Sequence, residues 1–211
     1  YKNTNLVGGG DSSSAYYDQM VIDIALDYLK QSHDKPQFIV VSIYSPHHPY
    51  VGPKDLYLKY KERVELPKTF RIKYEYDEWK SLYRDSVSEA LGIDILAAYC
   101  AMIENVDKQI GDVYKAFVEY CQRQDRKRLF IYLSDHGDHV GDRRTYGKVT
   151  FYEKSCKIPL IMTGDNVAQN NMINNAVNIM DVGPTILEFV NAKEMKDIDG
   201  VSVASSLMQK P

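Results

Sequence analysis

LFIYLSDHGDHVGDRRTYGKVTFYEKSCKIPLI, residues 129–161, carries the reading that decides the fold. It opens on an apolar, β-branched run, Leu129 to Ser134, without polar alternation, as in a strand covered on both faces. It passes through a polar loop with three glycines, Asp135 to Lys148, and returns to a second such run, Ile158 to Thr163. Upstream, Gln37 to Tyr44 (QFIVVSIY) has the same central-strand character and also empties into a histidine-bearing loop, SPHHPY. Helical periodicity separates these runs. Met20, Val21, Ile24, Ala25, Tyr28 and Leu29 form one stripe of a helix over about 15–30. Ile95, Tyr99, Met102, Val106, Ile110, Val113 and Phe117 mark one face of a long helix over 88–122. A short fourth strand is predicted at Val177 to Ile179, followed by a helix with Pro184 in its first turn. The order helix, strand, helix, strand, strand, strand, helix predicts an α/β fold, a mixed and largely parallel sheet layered by helices.

Composition narrows the class. The 211 residues are 44% hydrophobic and 26% charged, which supports a packed core and excludes a disordered or low-complexity chain. No apolar run is long enough to span a bilayer. A net charge of -3 lacks the basic excess that phosphate-backbone binding needs, so a nucleic-acid partner is not expected. Cys100 and Cys121 fall in one predicted helix, about 30 Å apart, beyond disulfide reach. Three cysteines make no disulfide framework and favour a reducing compartment. Tyr1 opens the chain without Met or an apolar leader, so a start codon or signal peptide would lie outside it.

Between Ser45 and Glu89 no period holds, and a stretch this long is functional or carries short helices of its own. Tyr44, Tyr50, Tyr57, Tyr60, Tyr74, Tyr76 and Tyr83 crowd this region, where they could line a cleft for a sugar or aryl group or simply pack half-buried.

Four of the five histidines lie in the two loops that follow predicted strands. In open α/β sheets, sites form beyond the carboxyl ends of strands, so if these strands are parallel the two loops face one place. Asp135 and His136 offer a hard oxygen and an imidazole nitrogen at a strand mouth, with Gly137 freeing the backbone to turn. A divalent cation suits that pair, although an isolated Asp-His pair is more often a turn cap beside a packed histidine. In Pro46-His47-His48-Pro49 two prolines limit the backbone around the histidines, which can fix an imidazole for proton transfer or form only a stiff turn. Lys148 is a compact cation suited to sulfate or phosphate oxygens, and alone would rank as a surface lysine.

Taken together, SPHHPY, AYCAMIENVDKQIGDV, YLSDHGDHVGDRRTYGKVTFYEKSCKIPLI, NIMDVGPTILEFV and DGVSVASSL, in that order, resemble the sulfatase family of the alkaline-phosphatase superfamily. The resemblance covers most of residues 15–208. It implies an alkaline-phosphatase-like fold, with Asp135 and His136 as metal ligands, calcium first and magnesium or manganese as alternatives. It places His47 near the departing ester oxygen and Lys148 on the sulfate group. Arg143 stands where many members have histidine, so no role is carried onto it. Sulfatases also use a formylglycine made from Cys or Ser in a Cys/Ser-x-Pro/Ala-x-Arg motif. Cys100 (CAMIE), Cys121 (CQRQD) and Cys156 (CKIPL) do not fit it, and no serine starts one.

The expectation is therefore a partial catalytic domain across residues 1–211, with the formylglycine upstream and the C-terminal subdomain downstream. The intact protein would hydrolyse a small-molecule or carbohydrate sulfate ester, and this segment alone would not turn over. A phosphate or phosphonate ester hydrolase of the same superfamily, or a non-catalytic sulfatase-like binding protein, are the alternatives. A segment cut in this way would expose apolar strand edges or helix faces, or cover them by self-association or by contacts with the missing domain.

Overall fold

Asp18, Ile22, Ala25 and Leu29 recur at four- and three-residue spacing and form the buried face of the first helix, α1 (Ser13–Lys30). The Ser12 hydroxyl opens that helix by accepting from the Ala15 amide at 3.1 Å. The buried face is rotated from the predicted stripe: Met20 and Ile24 are exposed, because Asp18 and not an apolar residue leads it. The structure, a computed structural model, describes residues 6–72, 87–193 and 196–208. These fall into two compact units, residues 1–124 with 136–157, and residues 125–135 with 158–211.

The first unit is built on the long helix. After β1 (Val7–Gly9) and α1 come β2 (Tyr50–Gly52), α2 (Lys54–Lys61), a 3₁₀ turn at Lys68–Arg71 and α3 (Glu89–Arg123). The 35 residues of α3 extend about 50 Å at the standard rise. The Ser88 hydroxyl caps it by accepting from the Leu91 amide at 3.2 Å. Ile95, Met102, Val106 and Val113 of the predicted face are buried. Cys100 and Cys121 both lie on this helix, and all three cysteines are free thiols.

Strands β1 and β2 pair in parallel, with Val7 opposite Tyr50 and Gly9 opposite Gly52. A Cβ on Gly52 would stand 2.6 Å from the Ala98–Ala101 side of α3, at the Ala101 Cβ, so glycine there and alanines on the helix permit the close approach. Tyr50, Phe70, Val87, Ile95, Ala98, Val140 and Tyr146 form the core. The region after Ser45 thus carries short elements of its own, as its length required; Tyr74, Tyr76 and Tyr83 lie outside the described residues.

The second unit pairs β3 (Leu129–Leu133) with β4 (Leu160–Gly164), antiparallel, with Ile131 opposite Met162. A 3₁₀ turn at Ile179–Asp181 leads into α4 (Val182–Phe189), and α5 (Ala204–Leu207) closes the unit. Asn178 and Asp181 form a reciprocal capping box at that turn. The fully buried Thr185 donates to the Asp181 carbonyl at 2.5 Å and accepts from the Val203 amide at 3.0 Å.

Two predicted strands differ. Residues 37–44 pair with no strand among the described residues, and their side chains alternate between half-buried and exposed. Phe38 and Val40 are 76% and 73% exposed, so this run is covered on one face only, contrary to the reading of a strand buried on both. The expected strand at Val177 to Ile179 is replaced by the capped 3₁₀ turn, in which the Asn178 side-chain carbonyl oxygen accepts from the Met180 amide at 3.1 Å. The paired strands are mixed, one pair parallel and one antiparallel. Among the described residues no helix is long and apolar enough to cross a membrane.

Candidate active site

His47 is delivered by a turn that a buried carboxylate holds. Asp18 on α1 is 1% exposed and accepts from two consecutive backbone amides, Tyr44 at 2.6 Å and Ser45 at 2.9 Å. The His47 amide donates back to the Tyr44 carbonyl at 3.1 Å, and the Tyr44 hydroxyl donates to the His48 carbonyl at 3.0 Å. Pro46 and Pro49 both follow cis peptide bonds. The His47 Nδ1 lies 3.0 Å from the His48 carbonyl oxygen. A carbonyl only accepts, so Nδ1 carries the proton and Nε2 presents a lone pair.

His136 is arranged in the same way. Its Nδ1 lies 2.8 Å from the Gly137 carbonyl, which again leaves Nε2 as the acceptor. The Gly137 amide donates to the Ser155 carbonyl at 2.8 Å, and a Cβ at 137 would fall 2.1 Å from the Lys154 carbonyl oxygen, so only glycine fits. Both Nε2 lone pairs point at one cation: the Lys148 ammonium lies 2.6 Å from that of His136 and 3.0 Å from that of His47. Three predicted site residues are thus brought together from two loops. Asp135 is exposed and follows Ser134 out of β3 in the second unit; the unit boundary falls between it and His136.

The loop around Lys148 has supports to which the sequence assigned no role. Asp138 accepts from the Tyr50 hydroxyl at 2.9 Å and from the Val140 and Gly147 amides at 2.9 and 3.0 Å. His139 is 2% exposed; its amide donates to the Gly147 carbonyl at 2.9 Å, and its Nε2 is 2.8 Å from the Thr150 hydroxyl. Asp142 accepts from the Thr69 hydroxyl and lies 3.6 Å from His139 Nδ1. The Arg143 guanidinium sits 4.8 Å over the Tyr152 ring, a cation–π packing contact. Val149 takes φ +79°, a left-handed conformation that a β-branched residue adopts only at a cost, immediately after Lys148.

Burial sets the charge states at the margin. It pushes the His139 imidazole below its ordinary range, and it does the same for His48, with His47 adding to the effect. Burial and the Asp138 carboxylate push the Tyr50 phenol far up, so this hydroxyl stays a donor. One sequence signal could have pointed to Asp18: it extends the buried stripe of α1 one turn toward the N-terminus, where a lone carboxylate must find donors.

An ammonium set between two imidazole acceptors makes a cationic point that can receive an oxyanion, with bases on either side to exchange a proton. For a metal, the donors fit in part. His136 offers an imidazole nitrogen, which suits a transition-type divalent cation better than oxygen-seeking calcium, and the hard oxygen of Asp135 belongs to the second unit. Among the described residues no group of three or more His, Cys, Asp or Glu side chains is arranged to hold a metal ion.

The family model for sulfatases matches residues 1–192. The multifunctional alkaline phosphatase superfamily protein PehA of Trinickia caryophylli is 28% identical over 88% of this chain and 40% of its own length. An arylsulfatase of Clostridium perfringens is 26% identical over 90% of this chain and 41% of its own. The chain therefore spans about two fifths of the length of these curated relatives. The phosphonate monoester hydrolase of Agrobacterium radiobacter superposes with a TM-score of 0.78 at 20% identity, over 97% of this chain and 46% of that one, and shares the alkaline-phosphatase-like fold. With the fold and most of its length matched, the chain belongs to the sulfatase family.

Proposed function

We propose that the protein containing this chain hydrolyses sulfuric esters, and that His47, Lys148, Asp135 and His136 belong to its catalytic site. The observation that supports this is the Lys148 ammonium held between the Nε2 atoms of His47 and His136. A sulfate group arriving there accepts hydrogen bonds from the ammonium, whose charge stabilises the negative charge that grows as the ester bond breaks. Once Lys148 turns to sulfate, His47 Nε2 is released toward the ester oxygen, and in its protonated form it gives that oxygen a proton as the alcohol leaves. The Nδ1 contact to the His48 carbonyl keeps the ring oriented in either protonation state.

Asp135 and His136 would hold a divalent cation, calcium by preference for the hard carboxylate oxygen. Held there, such a cation would supply Lewis-acid neutralisation of the transferring group. The nucleophile, a formylglycine by family membership, lies outside these residues, since none of the cysteines fits its motif. We read the chain as a segment of a larger catalytic domain; the exposed Phe38 and Val40, on a segment that pairs with no strand among the described residues, and the two-fifths coverage of relatives support this. The substrate class is a small-molecule or carbohydrate sulfate.

The test is steady-state hydrolysis by the full-length protein of paired aryl sulfate and aryl phosphate esters. Sulfate preference, with a loss of about a hundredfold or more in His47→Ala, is the predicted result for removal of a general acid. A preference for the phosphate or phosphonate ester assigns the alternative chemistry of the superfamily. Near-wild-type activity in His47→Ala removes the assignment.

A further inference from the structure

His47 and Lys148 are 101 positions apart in the chain, and their 3.0 Å contact needs a link between the backbones that carry them. One carboxylate supplies it. Asp138 Oδ2 accepts from the hydroxyl of Tyr50, three residues after His47, and Oδ1 accepts from the amide of Gly147, next to Lys148. The carbonyl of the same Gly147 is taken by the His139 amide at 2.9 Å, so both polar groups of this glycine are held by consecutive residues of the loop. Gly147 itself has φ +80°, a turn that aims the next side chain and that most residues would resist. Tyr50 is anchored at its other end: it is 3% exposed, packs in the core and pairs its backbone with Val7.

We infer that the Tyr50–Asp138 hydrogen bond is a positioning device that fixes where His47 stands relative to Lys148, and that its loss is felt in proton delivery to the leaving group more than in substrate binding. The inference rests on the proposed ester hydrolysis and extends it to two residues that act through His47 and Lys148. Because the Tyr50 hydroxyl lies in the core, it connects the His47 turn to the folded body rather than to solvent. A carboxylate with three donors has few other orientations to adopt, which makes the link stiff. Misplacement of a reacting group by about 1 Å costs up to about a hundredfold in rate.

The experiment uses the full-length protein and a series of aryl sulfates whose leaving phenols range from strongly to weakly acidic, with Tyr50→Phe, Asp138→Ala and His47→Ala measured side by side. Tyr50→Phe keeps the ring and removes only the hydroxyl. It should lower kcat about tenfold for weakly acidic leaving groups and about twofold for strongly acidic ones, with KM changed by less than about threefold. Asp138→Ala should show the same slope with a larger loss; should it fail to fold, Tyr50→Phe carries the test. A merely structural role lowers the melting temperature and reduces all esters equally, and that result overturns the inference. A large loss in His47→Ala with Tyr50→Phe unchanged overturns the inference alone. An unchanged His47→Ala removes the proposed function and the inference with it.

Discussion

Replacing Asp18 is predicted to damage both stability and turnover from a position that no substrate reaches. The Asp18 carboxylate is buried and accepts the Tyr44 amide on one oxygen and the Ser45 amide on the other, at 2.6 and 2.9 Å. A hydrogen bond to a charged partner nets about 1.5–3 kcal/mol, and leaving a buried donor unmade adds to the loss. Asp18→Asn keeps one acceptor oxygen and turns an amino group toward the other donor, so about 2 kcal/mol should be lost. Asp18→Ala loses both bonds, about 4 kcal/mol by the same reckoning, an effect at the upper end for single substitutions. Because the two amides immediately precede Pro46 and His47, kcat on an aryl sulfate should fall about tenfold even in the milder variant, through displacement of the His47 turn. Denaturant unfolding of the full-length protein with each substitution, alongside kcat, gives both readings. If Asp18→Ala stays within about 0.5 kcal/mol of the parent, as a neutral surface change would, the turn is held by something else and the reasoning fails.

Other outcomes follow from the same packing. Gly137→Ala should cost about 2–3 kcal/mol and depress activity, because its Cβ would meet the Lys154 carbonyl at 2.1 Å where neither backbone has room; unfolding midpoints indistinguishable from the parent would contradict this. His139 gives a pH dependence with a defined sign. Its imidazole is pushed below the ordinary value of 6.5, so the unfolded chain binds the proton more readily than the folded one. The neutral ring's contribution is complete above 6.5 and declines as pH falls from there toward the folded value. In His139→Gln that decline should flatten, measured as melting temperature against pH, with the remaining slope carried by His48, which is shifted in the same direction. An identical slope in the parent and the variant would count against a buried, neutral His139.

Local pattern made the helices legible. The three- and four-residue spacing that predicts α1 and α3 is imposed by a single buried face, and capping serines at 12 and 88 mark where each begins. The strands were harder to place because an apolar run records burial and not partners. Leu129 to Leu133 found a partner, whereas 37–44, equally β-branched, has one covered face and no ladder among the described residues. The orientation of β3 and β4 was also beyond sequence, since neither run encodes which way its neighbour travels. At the site, the residue types of His47, His136 and Lys148 announced themselves through loop position and family order. Asp138, Tyr50 and Asp18 did not, because their function is set by partners 88 and 26 positions away, and nothing in a carboxylate's local sequence names its donor.

The central claim is that His47 and Lys148 act as one unit on a sulfate ester. It is tested most directly by kcat/KM on a single aryl sulfate for the full-length parent, His47→Ala, Lys148→Ala and the double variant. Groups that act together lose most of their effect with the first removal, so the account predicts that the double variant falls far short of the product of the two single losses. Losses that multiply in full, or single variants that keep the parent's rate, would contradict it.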